Sequence, residues 1–293
     1  MKKNEENKAK IMLLVSMVIY GTIGIFRRYV PLPSGMMALF RAVIGLLFLL
    51  LVIKVSGQKI SVQAIKKNFK ILCISGMVMG FNWILLFEAY RYTSVATATL
   101  CYYMEPIFVI LASSILLKEK MSGKKKICSL VAFVGMVLVS GVLQVGISNL
   151  SELKGIFLGL GAGLLYATVI LLNKQLKEIE AYDKTITQLA AAAVVLLPYT
   201  LAAEDMSGVV VTPLVVVMMV IVGIVHTGIA YALYFGSMGS LKAQTIALFS
   251  YVDPVVAVLL STLLLGENIG VSGFIGAVLI LGSTMISELE KKN

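Results

Sequence analysis

The sequence predicts an all-α integral membrane protein of ten transmembrane helices, arranged as two inverted five-helix repeats. Three observations predict it. With 59% hydrophobic and only 14% charged residues over 293 positions, the chain departs from soluble domains, which run near half apolar and a quarter charged. Continuous apolar runs of crossing length recur ten times. The second half also repeats the first at a nearly fixed offset.

A hydrocarbon core about 30 Å thick requires about 20 helical residues per crossing, so each run can be tested in turn. Span one, 11–30, follows Lys2, Lys3, Lys8 and Lys10 like the basic end of a signal peptide, but it is too long for one and no small-residue cleavage site ends it. It is read as an uncleaved helix. Span two (34–54) carries Arg41, and spans three (71–91), four (94–117) and five (124–143) complete the first repeat, residues 1–143. Spans six (155–175), seven (184–203), eight (213–238), nine (243–265) and ten (270–288) form the second, residues 155–293. The runs are continuous rather than alternating, which disfavours a β-barrel and leaves the helix to satisfy the backbone in lipid.

The net charge of +10 raises the question of nucleic acid, and its distribution answers it. Twenty of the 25 basic residues fall before span one or in the segments on the same side, such as Lys59, Lys66, Lys67, Lys70 and Lys124 to Lys126. Only Arg27, Arg28, Arg91 and Lys154 lie on the other side, with Arg41 inside span two. This is the positive-inside asymmetry of a multi-pass protein of the cell membrane with both termini cytoplasmic. A lipid bilayer, not nucleic acid, is the expected surrounding.

Internal repetition carries more. From Pro106 to Glu119 and from Pro254 to Glu267, 14 positions at an offset of 148 share six identities, and an acid precedes each proline. Thr97, Phe87 and Gly80 continue the register with Thr245, Phe235 and Gly228; at 146, Tyr20, Thr22 and Arg28 match Tyr166, Thr168 and Lys174. Each half holds five crossings, so the odd number turns the second over, with a pseudo-twofold axis in the membrane plane.

Catalytic signatures are missing from the sequence. Cys73, Cys101 and Cys128 show no ligand spacing, His226 is the single histidine, and no phosphate-binding glycine loop or nucleophile motif occurs. The expectation is no cofactor, no metal and no enzyme activity.

Taken whole, the chain resembles the ten-helix EamA-like branch of the drug/metabolite transporter superfamily. The doubled five-helix unit, Arg41, the Glu105-Pro106 and Asp253-Pro254 steps, and the terminal Glu119 and Glu267 carry the resemblance. It implies a secondary transporter of a small metabolite (an amino acid, a nucleoside or a similar amphipathic compound), often an exporter, working by alternating access around a central cavity. One feature departs from the four-helix multidrug relatives: residues 11–30 contain no acid, which argues against a simple antiport of cationic drugs. The rival reading is a passive channel or facilitator of the same fold without ion coupling.

Depth along the helices supplies site residues independently of that resemblance. Glu105 and Asp253 fall near the middles of spans four and nine, and a midplane carboxylate costs about 2.5–3.5 kcal/mol on insertion scales, so two of them point to a cavity or tight pairing. Pro106 and Pro254 free the carbonyls of Tyr102 and Ser250, which predicts a kink with an open acceptor beside each acid. Tyr20, Asn82, Trp83, Tyr166 and His226 lie near their span centres, and Tyr251 adjoins Ser250. These ten residues are the expected substrate contacts, in a cavity lined by spans one, three, four, six, eight and nine. Arg41 and Glu88 are placed toward the outer side, as an interfacial salt bridge or gate. The Gly155, Gly159, Gly163 stripe and the Gly270, Gly273, Gly276 stripe permit close helix approach within the chain or across a homodimer seam.

Overall fold

The structure is a computed structural model, and it describes residues 2–23, 26, 30–93, 98, 101–118, 121–140, 150–265 and 270–288. Among these residues the chain is helical, without strands, in ten successive spans: α1 (Lys2–Gly21), α2 (Ser34–Val55), α3 (Val62–Tyr92), α4 (Glu105–Leu116), α5 (Gly123–Ser140), α6 (Leu150–Gln175), α7 (Ala181–Ala203), α8 (Pro213–Ser237), α9 in two pieces (Ala243–Ser250 and Val252–Leu265) and α10 (Gly270–Glu288). Arg27, Arg28, Thr97, Glu119 and Glu267 lie outside the described residues.

Five spans, Ser34–Val55, Val62–Ala89, Glu152–Gln175, Ala181–Ala203 and Pro213–Ser237, are each long and apolar enough to cross alone. Glu105–Leu116 and Val271–Ser287 are shorter apolar helices. Helix boundaries exceed the apolar runs where charge continues a helix past the lipid. Thus α3 starts at Val62, where the Ser61 hydroxyl accepts from the Ala64 N–H at 3.2 Å, and its first turns carry Lys66, Lys67 and Lys70. Hydropathy marks only the part of a helix inside lipid, whereas an N-cap marks where the helix begins. The outer faces present Leu47, Leu51, Phe157, Val194, Leu201 and Val271, all exposed and apolar as lipid demands.

Packing follows a twofold pattern. Helix α3 packs on α6 as α8 packs on α1; α3 packs on α7 as α8 packs on α2; α4 packs on α6 as α9 packs on α1. The pairs α2 and α7, α4 and α9, and α5 and α10 meet their own counterparts. One pseudo-twofold axis relates all of these, and the largest interfaces each join one half to the other. The two repeats are therefore interlocked rather than placed side by side.

Glycine makes the interlock close. A Cβ at Gly163 would lie 2.6 Å from the Tyr102 carbonyl oxygen, one at Gly159 2.8 Å from Cys101 Cβ, and one at Gly155 2.6 Å from Thr93 Cγ2. The stripe on α6 is thus spent inside the chain, against α3 and the segment leading into α4. Likewise a Cβ at Gly135 of α5 would meet the Gly276 carbonyl oxygen of α10 at 2.7 Å.

Candidate functional site

Three irregular elements converge at the centre of the bundle. Where a simple proline kink is expected in span four, the chain breaks: Tyr103 and Met104 form a turn, the Met104 N–H donates to Cys101 O at 3.2 Å, and α4 begins at Glu105 with Pro106 in its first turn. At the symmetric place in α9, Tyr251 interrupts the helix, its N–H donates to Leu248 O at 3.3 Å, and Asp253 and Pro254 sit in the first turn of the second piece. Proline suits a first turn, where its missing N–H is not needed. A carboxylate suits it too, because the unpaired N–H groups there carry the positive end of the helix dipole.

The third element is a π-helical stretch in α8, Val222–Ile229. Its widened turn is held by the Thr227 hydroxyl, which donates to the Val222 carbonyl five residues back at 3.1 Å. Such stretches insert a residue into a helix and re-aim the side chains that follow. Here they aim His226 at the chain just past α1, where its Nε2 lies 2.7 Å from the Thr22 hydroxyl and its ring 4.7 Å from that of Phe26. Thr227 faces α2.

Between these elements lies a cluster of rings. Tyr166 stacks on Tyr102 at 5.7 Å and on Tyr234 at 6.1 Å, each with an interplanar angle of 17°. Tyr20 contacts Tyr231 at 5.5 Å and Tyr234 at 5.9 Å, and Trp83 meets Tyr231 at 6.0 Å. Glu105 is 1% exposed, its Oε1 has no hydrogen-bond partner among the described residues, and Asp253 is its charged neighbour. Tyr103 hydrogen-bonds Asp253. Asn82 Nδ2 donates to the Ala162 carbonyl at 2.6 Å, tying α3 to α6, while its Oδ1 and the Tyr20 hydroxyl are buried without partners among the described residues.

Of the ten residues expected from sequence, Tyr20, Trp83, Tyr102, Glu105 and Tyr166 gather in or beside this cluster, the Ser250 hydroxyl donates to the Ile246 carbonyl at 3.2 Å within its own helix, and Asp253 lies within electrostatic reach of Glu105. Tyr251 does not join them. It is fully buried in a second cluster with Ala132, Met136, Ala277 and Ile280 of α5 and α10, because the break at its own position ends the helical register that would have turned it inward.

Arg41 differs most from expectation. It is 5% exposed, its guanidinium lies 4.6 Å over the Trp83 ring and 5.9 Å from that of Tyr231, and its Nε donates to the Thr227 hydroxyl at 3.1 Å. Glu88, its expected outer companion, instead pairs with Arg91 at 3.1 Å and accepts from the Tyr199 hydroxyl at 3.3 Å. Span two therefore joins the site. Stacking on a ring is worth about 0.5–2 kcal/mol, and the two terminal nitrogens have no partner among the described residues. A signal for this partnership was present: Thr227, Tyr231 and Tyr234 are spaced i, i+4, i+7 and so share one face of α8, and Arg41 is a lone cation in an apolar run.

Comparison with known proteins agrees with the fold. The model of the EamA-like transporter family matches twice, at residues 7–141 and 153–288. The uncharacterized transporter YxxF of Bacillus subtilis is 30% identical across 98% of this chain and 92% of its own length. An uncharacterized transporter of Archaeoglobus fulgidus is 26% identical across 94% of each chain. A protein of known crystal structure superposes with a TM-score of 0.84 at 17% identity, covering 96% of this chain and 98% of its own, which speaks for the fold alone. With both halves matched and the relatives aligned nearly end to end, the chain belongs to the EamA-like transporter family and is a multi-pass membrane transporter.

Proposed function

We propose that the protein is a secondary transporter that exports a small amphipathic metabolite across the cell membrane by alternating access, with both termini cytoplasmic. The observation that supports this reading is the symmetric pair of helix breaks beside the tyrosine cluster, each followed by an acid, Glu105 buried and Asp253 half-buried. Discontinuous helices at the interface between inverted repeats place binding groups where the halves pivot. Rocking one half against the other would open the cluster to one side at a time.

Glu105 and Asp253 are the coupling pair in this reading. The two carboxylates repel each other when both are ionised, so one proton can be bound in one half of the cycle and released in the other. One proton moved down a membrane potential supplies about 2.3 kcal/mol per 100 mV, enough for roughly 50-fold accumulation. The test uses liposomes holding wild type, Glu105→Gln or Asp253→Asn. Exchange between equal substrate pools should survive in the variants while acceleration by a pH gradient is lost, because exchange need not cycle the proton. Wild-type behaviour of both variants in both assays would remove the acids from the mechanism. Non-saturating, pH-insensitive flux in the wild type would instead establish a passive facilitator.

A further inference from the structure

The acids account for one end of the central cluster and leave the buried cation unexplained. Arg41 sits over Trp83 with its Nε held by Thr227, and no carboxylate is within ion-pair range of it among the described residues. Its contacts are Trp83 from α3 and Thr227 and Tyr231 from α8, none of them acidic, with His226 of α8 and Tyr20 of α1 within electrostatic reach. Glu105 and Asp253 have each other and tyrosines as neighbours instead. A guanidinium presents two parallel N–H donors that match a carboxylate, and clamping Nε orients that fork. Trp83 beneath it and Tyr20 and Tyr231 beside it supply flat apolar surface for the rest of a ligand.

We propose that Arg41 is the anchor for a carboxylate on the transported molecule, which makes the site selective for organic acids with a flat apolar body over the matching amines. The proposal rests on the transport reading above and assigns a specificity role to a residue outside the acid pair. Thr227 acts as a positioning residue by holding Nε.

Trp83 is the only tryptophan in the chain, so the intrinsic fluorescence of the full-length protein in nanodiscs reports directly on the ring under Arg41. Three probes differ only in charge: 3-phenylpropionate, 3-phenylpropan-1-ol and 3-phenylpropylamine. In wild type the carboxylate should titrate saturably, at least about 10-fold more tightly than the alcohol or the amine. Arg41→Lys should keep the preference but weaken carboxylate binding about 10-fold, since a point charge replaces a fork. Arg41→Gln should abolish the preference, and Thr227→Val should reduce it while leaving the elution profile of the folded protein unchanged. The proposal is overturned if the amine or alcohol binds as tightly as the carboxylate, if no saturable response to the carboxylate occurs, or if Arg41→Gln keeps the preference. Counterflow of labelled 3-phenylpropionate in liposomes separates the two readings. Binding without counterflow sinks the transport reading and leaves the anchor, whereas counterflow of the amine undiminished in Arg41→Gln sinks the anchor and leaves transport.

Discussion

Replacing Gly163 by alanine tests the helix contact on which the tyrosine stack depends. The added Cβ would lie 2.6 Å from Tyr102 O and 3.2 Å from Cys101 O, and ordinary contact begins at 3.4 Å. Both obstacles are backbone atoms, so no side-chain tip can swing aside, and α6 must retreat by the difference of about 0.8 Å. Tyr166 lies three residues on along the same helix and must move with it, opening the stack on Tyr102. Overpacking of this kind costs about 1–3 kcal/mol, which lowers the melting temperature by roughly 2–10 °C for a chain of this size. Gly161→Ala is the matched control: its Cβ would meet only Leu85 Cδ1, at 3.4 Å, so its effect should stay within about 0.5 kcal/mol. Cys101 and Cys128 are free and buried, and a thiol-reactive fluorophore therefore follows unfolding of the purified protein on heating. Equal melting temperatures for Gly163→Ala and wild type, or an equal fall for Gly161→Ala, would refute the argument that α6 and the α4 break are in backbone contact.

Orientation can be read by labelling a cysteine-free variant from outside: single cysteines within 144–154 and 204–212 should react with an impermeant maleimide, and reaction at position 66 or 124 instead would reverse the topology. The exposed pair of Lys67 and Glu178, 2.6 Å apart, holds the Glu178 carboxyl below its ordinary 4.5. A carboxyl depressed on folding contributes stability above its unfolded pKa and loses it as pH falls through the folded one. The destabilisation caused by Glu178→Gln should therefore be small at pH 7, should fade as pH falls below the ordinary 4.5 and should shrink in about 1 M salt, where the screening length is about 3 Å. A salt-independent loss of melting temperature would contradict it.

The ten spans were legible because lipid imposes a length and an apolarity that a sequence displays openly. The acid-proline steps were legible because duplication wrote them twice, at Glu105-Pro106 and Asp253-Pro254. What surrounded them was less so. Hydropathy sees one run from 243 to 265, yet the helix stops and restarts at Tyr251, a choice decided by local hydrogen bonding and not by polarity. The π stretch that sets His226 and Thr227 has no polarity signature, since it changes the winding of an apolar helix and not its composition. Arg41 was read as outward because its depth in span two lies off centre; which ring would cover it depended on how α2, α3 and α8 cross, a relation between distant segments that no local pattern encodes.

The interlocking of the halves bears on how the chain is made. Synthesis delivers α1 to α5 before α6 emerges, but the principal partners of α1, α2 and α3 are α8 and α9, α7 and α8, and α6 and α7. Until those helices arrive, Asn82 lacks the Ala162 carbonyl, Arg41 lacks the Thr227 hydroxyl, and the first half stands in the bilayer with these polar atoms unpaired. Assembly is therefore a late, concerted event, completed only when the last helix closes against α5, and a ribosome that stalls after residue 143 leaves behind an unfinished surface and not a stable half-protein.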